Sequence, residues 1–130
     1  MAKLDGASTT SGGVLNGRIG TALVAATHVA LGAGWGTAGA GVLLSGSNQQ
    51  RGRIAITAST TGLSQATATV VITFPEPYSS APFALTNVTS TSSIDEGHIV
   101  WTSTTTALTL TFSVLPVDTK VYTISWHLVS

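Results

Sequence analysis

Alternation with a period of two runs through the last two thirds of this chain and commits it to β structure. In "ATATVVITF", Ala68, Val70, Ile72 and Phe74 share one face, while Thr67, Thr69, Val71 and Thr73 share the other. "ALTLTFS" sets Leu108, Leu110 and Phe112 against Thr109, Thr111 and Ser113. Towards the C-terminus Tyr122, Ile124, Trp126 and Leu128 alternate with Thr123, Ser125 and His127. Successive side chains of a strand point to opposite faces, so each stretch offers one apolar face to a core and one polar face away from it. The polar faces are mostly Thr, which is β-branched and favours the strand without adding charge.

Shorter candidates lie at 53–58, 83–89 and 98–103, which makes six strands joined by Ser, Thr, Gly and Pro clusters. That spacing predicts an all-β fold, an antiparallel β-sandwich of jelly-roll-like form, over residues 41–130. Residues 1–40 read differently. Gly is dense there, and "GAGWGTAGAG" fits a turn or an irregular extended path rather than a regular element. "TALVAATHVAL" suits either a short helix or a strand pair, and "GVLLSGS" a short strand between glycines. The expectation is a Gly-rich N-terminal arm, or extra strands, that docks onto something.

The corner "TFPEPYSSAP" ends one strand at Phe74 and restarts the chain at Phe83. Pro75 and Pro77 cannot donate to a continuing ladder. The stretch therefore reads as a geometric device, with Tyr78 covering the sandwich end and Glu76 exposed at its tip.

Charge narrows the function. Five basic and five acidic residues cancel, and charged residues are 8% of the chain, against roughly 25% in an average soluble domain. A nucleic-acid grip needs a clustered excess of Lys and Arg, and a membrane anchor needs a polybasic run, so neither partner is expected. So few charges predict that much of the surface is covered by further copies or by a partner. There is no cysteine, hence no disulfide framework or thiolate site. "MAKLDGASTTSGG" lacks the apolar core of a signal peptide, and the uncharged run near residue 25 is too broken for a membrane span.

Sites of chemistry are scarce. "SIDEGHIVW" gathers Asp95, Glu96 and His98, a set suited to a divalent ion or an acid/base pair, or simply to a polar loop turning at Glu96-Gly97. The loop reading is preferred, because no second histidine or acid supports the cluster, and no metal or cofactor is expected. No Gly-x-Ser-x-Gly elbow accompanies the many serines, and no Lys-Ser/Thr pair follows the glycines. "NVT" at 87–89 matches a glycosylation triplet of the kind common by chance. In "QQRGR", Arg51 and Arg53 either fork onto a carboxylate or sugar or guard a strand edge. Trp126 belongs to a core face. Trp35, alone among glycines, is the preferred interface residue, an aromatic able to wedge into a neighbouring subunit or stack on a sugar. Self-association would cover outward positions such as Val71 and Val100.

Taken in order, "GSNQQRGRIAITAST", "ATATVVITFPEPYSSAPFALTNVT", "VWTSTTTALTLTF" and "VYTISWHLV" resemble the small β-sandwich domain of tailed-phage virion proteins, found in tail fibres, head fibres and capsid decoration proteins. The resemblance runs from about residue 41 to the C-terminus. It is carried by the Gly46 turn into a 52–57 strand, the Phe74 strand, the Ala81-Pro82 step and the 122–128 ending. It implies a non-enzymatic, often trimeric component exposed on the particle and assembled in the bacterial cytoplasm. The chain departs from the pattern in having no long shaft ahead of the sandwich. Two expectations follow. One is a homotrimeric capsid decoration protein bound to the major capsid protein and stabilising the shell. The other is a tail-fibre tip that recognises host surface glycan through Trp35 or the Arg51/Arg53 pair.

Overall fold

The computed structural model describes residues 24–90 and 99–130. Among these residues, eight strands form two four-stranded antiparallel sheets, an all-β sandwich. They are β1 (Val29–Leu31), β2 (Ala40–Leu43), β3 (Arg51–Thr57), β4 (Thr69–Thr73), β5 (Phe83–Ser90), β6 (Ile99–Ser103), β7 (Ala107–Phe112) and β8 (Val121–Val129). The first sheet has the order β1-β4-β7-β6 and the second β2-β3-β8-β5. Hairpins join β2 to β3 and β6 to β7, and the other connections cross between the sheets.

β4, β7 and β8 obey their sequence alternation, and β3 alternates in the same way. Val70 and Ile72 of β4 and Leu108, Leu110 and Phe112 of β7 are buried, as are Ile54 and Ile56 of β3 and Tyr122, Ile124, Trp126 and Leu128 of β8. These side chains form the core between the sheets, as inward alternates of a sandwich must. The polar face of the first sheet is a Thr lattice: Val71 sits beside Thr109 and then Thr102, and Thr69 beside Thr111 and then Val100.

The glycine-rich segment is part of the sandwich from Val24 onward. A 3-10 turn at Ala26–His28 leads into β1, which pairs with β4. The described part of "TALVAATHVAL", from Val24 on, thus contains a helical turn and a strand. Gly34 donates its N–H to Thr67 O at 2.9 Å and accepts from Ser64 N at 3.0 Å. The path is irregular, as its composition implies, yet it lies against the sheet. Ahead of the boundary expected near residue 40, β1 is already a strand of the first sheet, and β2 begins at that boundary in the second. Residues 1–23 of the expected arm lie outside the described residues.

Trp35 requires the clearest correction. It is 1% exposed, its rings lie 5.4 Å from Phe112 and 5.8 Å from Tyr122, and its indole N–H donates to Thr69 O at 3.0 Å. Phe112 belongs to β7 and Tyr122 to β8, so Trp35 closes one end of the core between the two sheets. Its glycine neighbours let the backbone come close enough to insert the ring. It is a core residue of the chain and presents no surface for a neighbour or a sugar.

The proline corner is held from two sides. Phe74 N–H donates to Thr106 O and Tyr78 N–H to Thr105 O, each at 2.8 Å. The Phe74 and Tyr78 rings meet edge to face at 5.0 Å. From the other side Gln49, fully buried, donates Nε2–H to Glu76 O at 2.9 Å and accepts from Glu76 N–H at 3.0 Å. One side-chain amide thus satisfies both main-chain groups of Glu76, the residue between the two prolines. Replacing Gln49 with Ala removes both hydrogen bonds, which contribute about 0.5–1.5 kcal/mol each. The expected loss for Q49A is about 2 kcal/mol, read as a lower urea midpoint at unchanged m-value.

Candidate binding groove on the outer face of the second sheet

β3 and β8 are the inner strands of the second sheet, and their outward alternates form its exposed floor. The register places Arg51 opposite His127 and Arg53 opposite Ser125. On the far side of β8, His127 faces Leu85 and Ser125 faces Asn87. The result is a grid of two rows and three columns, Arg51–His127–Leu85 and Arg53–Ser125–Asn87. The β2–β3 turn, Ser45 to Ser47, walls one side. The enclosed groove is open and has a volume of about 520 Å³. It is lined by two guanidinium groups and an imidazole, and no carboxylate is among its lining residues.

The wall is shaped by hydrogen bonds that also fix the arginines. Ser47, buried, donates its hydroxyl to Leu44 O at 2.7 Å and accepts from Arg53 N–H at 3.1 Å. Asn48 Oδ1 accepts from Arg51 N–H at 2.9 Å. The backbone of both arginines is thereby tied to the turn while both side chains stay exposed. Beneath them Gly52 pairs with Trp126, and on the other side of β8 Thr86 pairs with Trp126. A Cβ on Gly52 would come within 3.0 Å of the Trp126 ring. The glycine between the arginines is thus the space into which the indole packs. Trp126 Nε1 is buried without a hydrogen-bond partner.

An apolar strip continues from the groove. Phe83 is 72% exposed, Leu85 64% and Val129 50%, and Phe83 and Val129 are cross-strand partners on the same outer face. In "FALTNVT" the bulky residues would be expected inside. The register instead turns Ala84, Thr86 and Val88 inward beside Leu128, Trp126 and Ile124. Small residues are needed there because the opposing β8 side chains are large. No sequence pattern within β5 alone signals this inversion.

The sequence-predicted site residues therefore separate. Arg51 and Arg53 come together on the second sheet, Val71 and the 55%-exposed Val100 lie on the outer face of the first, and Trp35 is inside. The Asp95, Glu96 and His98 cluster lies outside the described residues. Among the described residues no group of three or more His, Cys, Asp or Glu side chains is placed to hold a metal ion, and no helix is long and apolar enough to cross a membrane. The residues that sequence reasoning did not bring to the site are Leu85, Asn87, Ser125 and His127, each an outward alternate whose position depends on strand pairing.

Burial raises the Tyr78 phenol above its ordinary value of 10.0, with the neighbouring Gln49 amide pulling weakly the other way. The amide sits near the hydroxyl, but no partner meets it in hydrogen-bonding geometry. A raised folded-state value means that the native protein holds this proton longer than the unfolded chain does. Its contribution to stability is thus complete below pH 10 and is lost as pH rises through the folded-state value. Y78F is expected to remove that alkaline loss and to stay within about 1 kcal/mol of the parent at neutral pH, because it deletes an unpartnered hydroxyl. Urea titrations from neutral to alkaline pH read both effects. Comparison with family models, with curated proteins and with solved structures finds no match to this chain.

Proposed function

We propose that the protein is a non-enzymatic structural component of a bacteriophage virion, a homotrimer on the capsid surface that binds the major capsid protein and stabilises the shell. The observation that carries this reading is the set of large apolar side chains left exposed around a complete core: Val42, Phe83, Leu85, Val100, Leu115 and Val129. They occupy both sheets and the β7–β8 loop, as repeated contacts on several sides would require. The low charge of the chain and its resemblance to phage β-sandwich domains support the same reading. A protein that binds the assembled shell in preference to its free subunits stabilises the shell by mass action. Sedimentation of the purified chain is expected to give a trimer, and gold-labelled virions to carry label over the head. A monomer together with label confined to the tail overturns the proposal.

A second reading, a tail-fibre or tail-tip module recognising host surface glycan, draws on the groove that contains Arg51 and Arg53. Saturable adsorption to host cells without affinity for capsids favours it over the first.

A further inference from the structure

We infer that the groove over β3 and β8 binds a saccharide bearing a carboxylate. Its ligand class rests on the glycan-recognition reading above, whereas the site itself rests on the geometry of the second sheet. Arg51 and Arg53 are alternate residues of one strand, so their side chains leave the same face from backbone positions about 7 Å apart. Such forks accept a carboxylate through two parallel hydrogen bonds. The rest of the grid supplies polar groups in the next columns: the His127 imidazole, the Ser125 hydroxyl and the Asn87 amide. These match the closely spaced hydroxyl groups of a sugar ring. Leu85 and, one step along the strand face, Phe83 offer an apolar surface for the ring's C–H face. The volume of about 520 Å³ lies within the usual range of small-ligand sites.

An acidic peptide is the competing occupant, and the strand order disfavours it. Extended peptides gain affinity by adding to a free sheet edge, where main-chain groups are unpaired. β3 lies between β2 and β8, and β8 between β3 and β5, so the floor of the groove offers side chains only. A ligand held there must supply its polar groups at the density of a sugar. A bare inorganic anion would use the arginines and leave Leu85, Asn87 and Ser125 without contacts.

The test titrates the full-length protein with tri-galacturonate and with sialyllactose, using maltotriose and hexa-aspartate as comparisons, and follows backbone amide shifts. At least one acidic saccharide is expected to saturate and to bind about tenfold or more tighter than maltotriose, with shifts at Leu85, Asn87, Ser125 and His127. The R51A/R53A double variant is expected to lose about tenfold or more of that affinity, with its urea midpoint unchanged. Binding is also expected to weaken as salt is raised. No saturation by either acidic saccharide up to about 10 mM, equal binding by the double variant, or hexa-aspartate binding as tightly as the saccharides each overturns the inference. Host-cell adsorption by the R51A/R53A variant tests the glycan-recognition reading without this groove, so failure here is distinguishable from failure of that reading.

Discussion

W35A is expected to remove most of the stability of this domain. The side chain is 1% exposed and packs between Phe112 of one sheet and Tyr122 of the other. Truncating a buried Trp to Ala costs about 3–5 kcal/mol, because the cavity left behind closes only in part. Loss of the indole bond to Thr69 O adds about 1 kcal/mol. Thr69 O keeps a second donor, Gly32 N–H at 2.8 Å, which limits that contribution. Against a typical total of about 5–15 kcal/mol, the variant sits at the edge of folding. Urea denaturation followed by circular dichroism measures the shift. W35F, which refills part of the cavity, is expected to lose less. V100A, at an exposed site, is expected to stay within about 0.5 kcal/mol. A surface role for Trp35 would give the opposite pattern, with unchanged denaturation and weakened association.

G34A is expected to damage the fold by nearly as much, and for a different reason. A Cβ at this position would fall within 3.0 Å of Ser64 O, Ala68 N and the Thr67 carbonyl carbon. All three are backbone atoms, so no side-chain rotation relieves the collision. Gly34 is also bonded on both sides, to Thr67 O and from Ser64 N, and moving it breaks those bonds. Overpacking in a core commonly costs about 1–3 kcal/mol and more where the backbone has to move. Here the movement would also carry Trp35 out of its site, so a loss of about 4 kcal/mol is expected. Urea denaturation and amide exchange across residues 32–36 and 64–69 would report it. A33S, at the exposed neighbouring position, serves as the control and is expected to stay within about 0.5 kcal/mol.

Both variants test the same segment, where the sequence was hardest to read. "GAGWG" carries no period, so its one large side chain had no face assigned to it. Burial of Trp35 depends on residues 69, 112 and 122, which are distant in sequence and converge only when both sheets are formed. Gln49 was hidden for a similar reason. Its amide looks like part of a polar turn until the chain brings Glu76 to it.

The sequence by itself determined the all-β class, the inward faces of β4, β7 and β8, and the strand-ending role of the proline corner. These are local consequences of a two-residue side-chain period and of proline's missing N–H, so they can be read within a few residues. Tertiary structure alone decided that β1 belongs to the first sheet, that Trp35 is core, which way β5 faces, and that Arg51 and Arg53 share a groove with Leu85, Asn87, Ser125 and His127. Each of these is set by pairing or packing between segments far apart in the chain. Alternation gives every strand two faces, but only its neighbours determine what stands beside each of them.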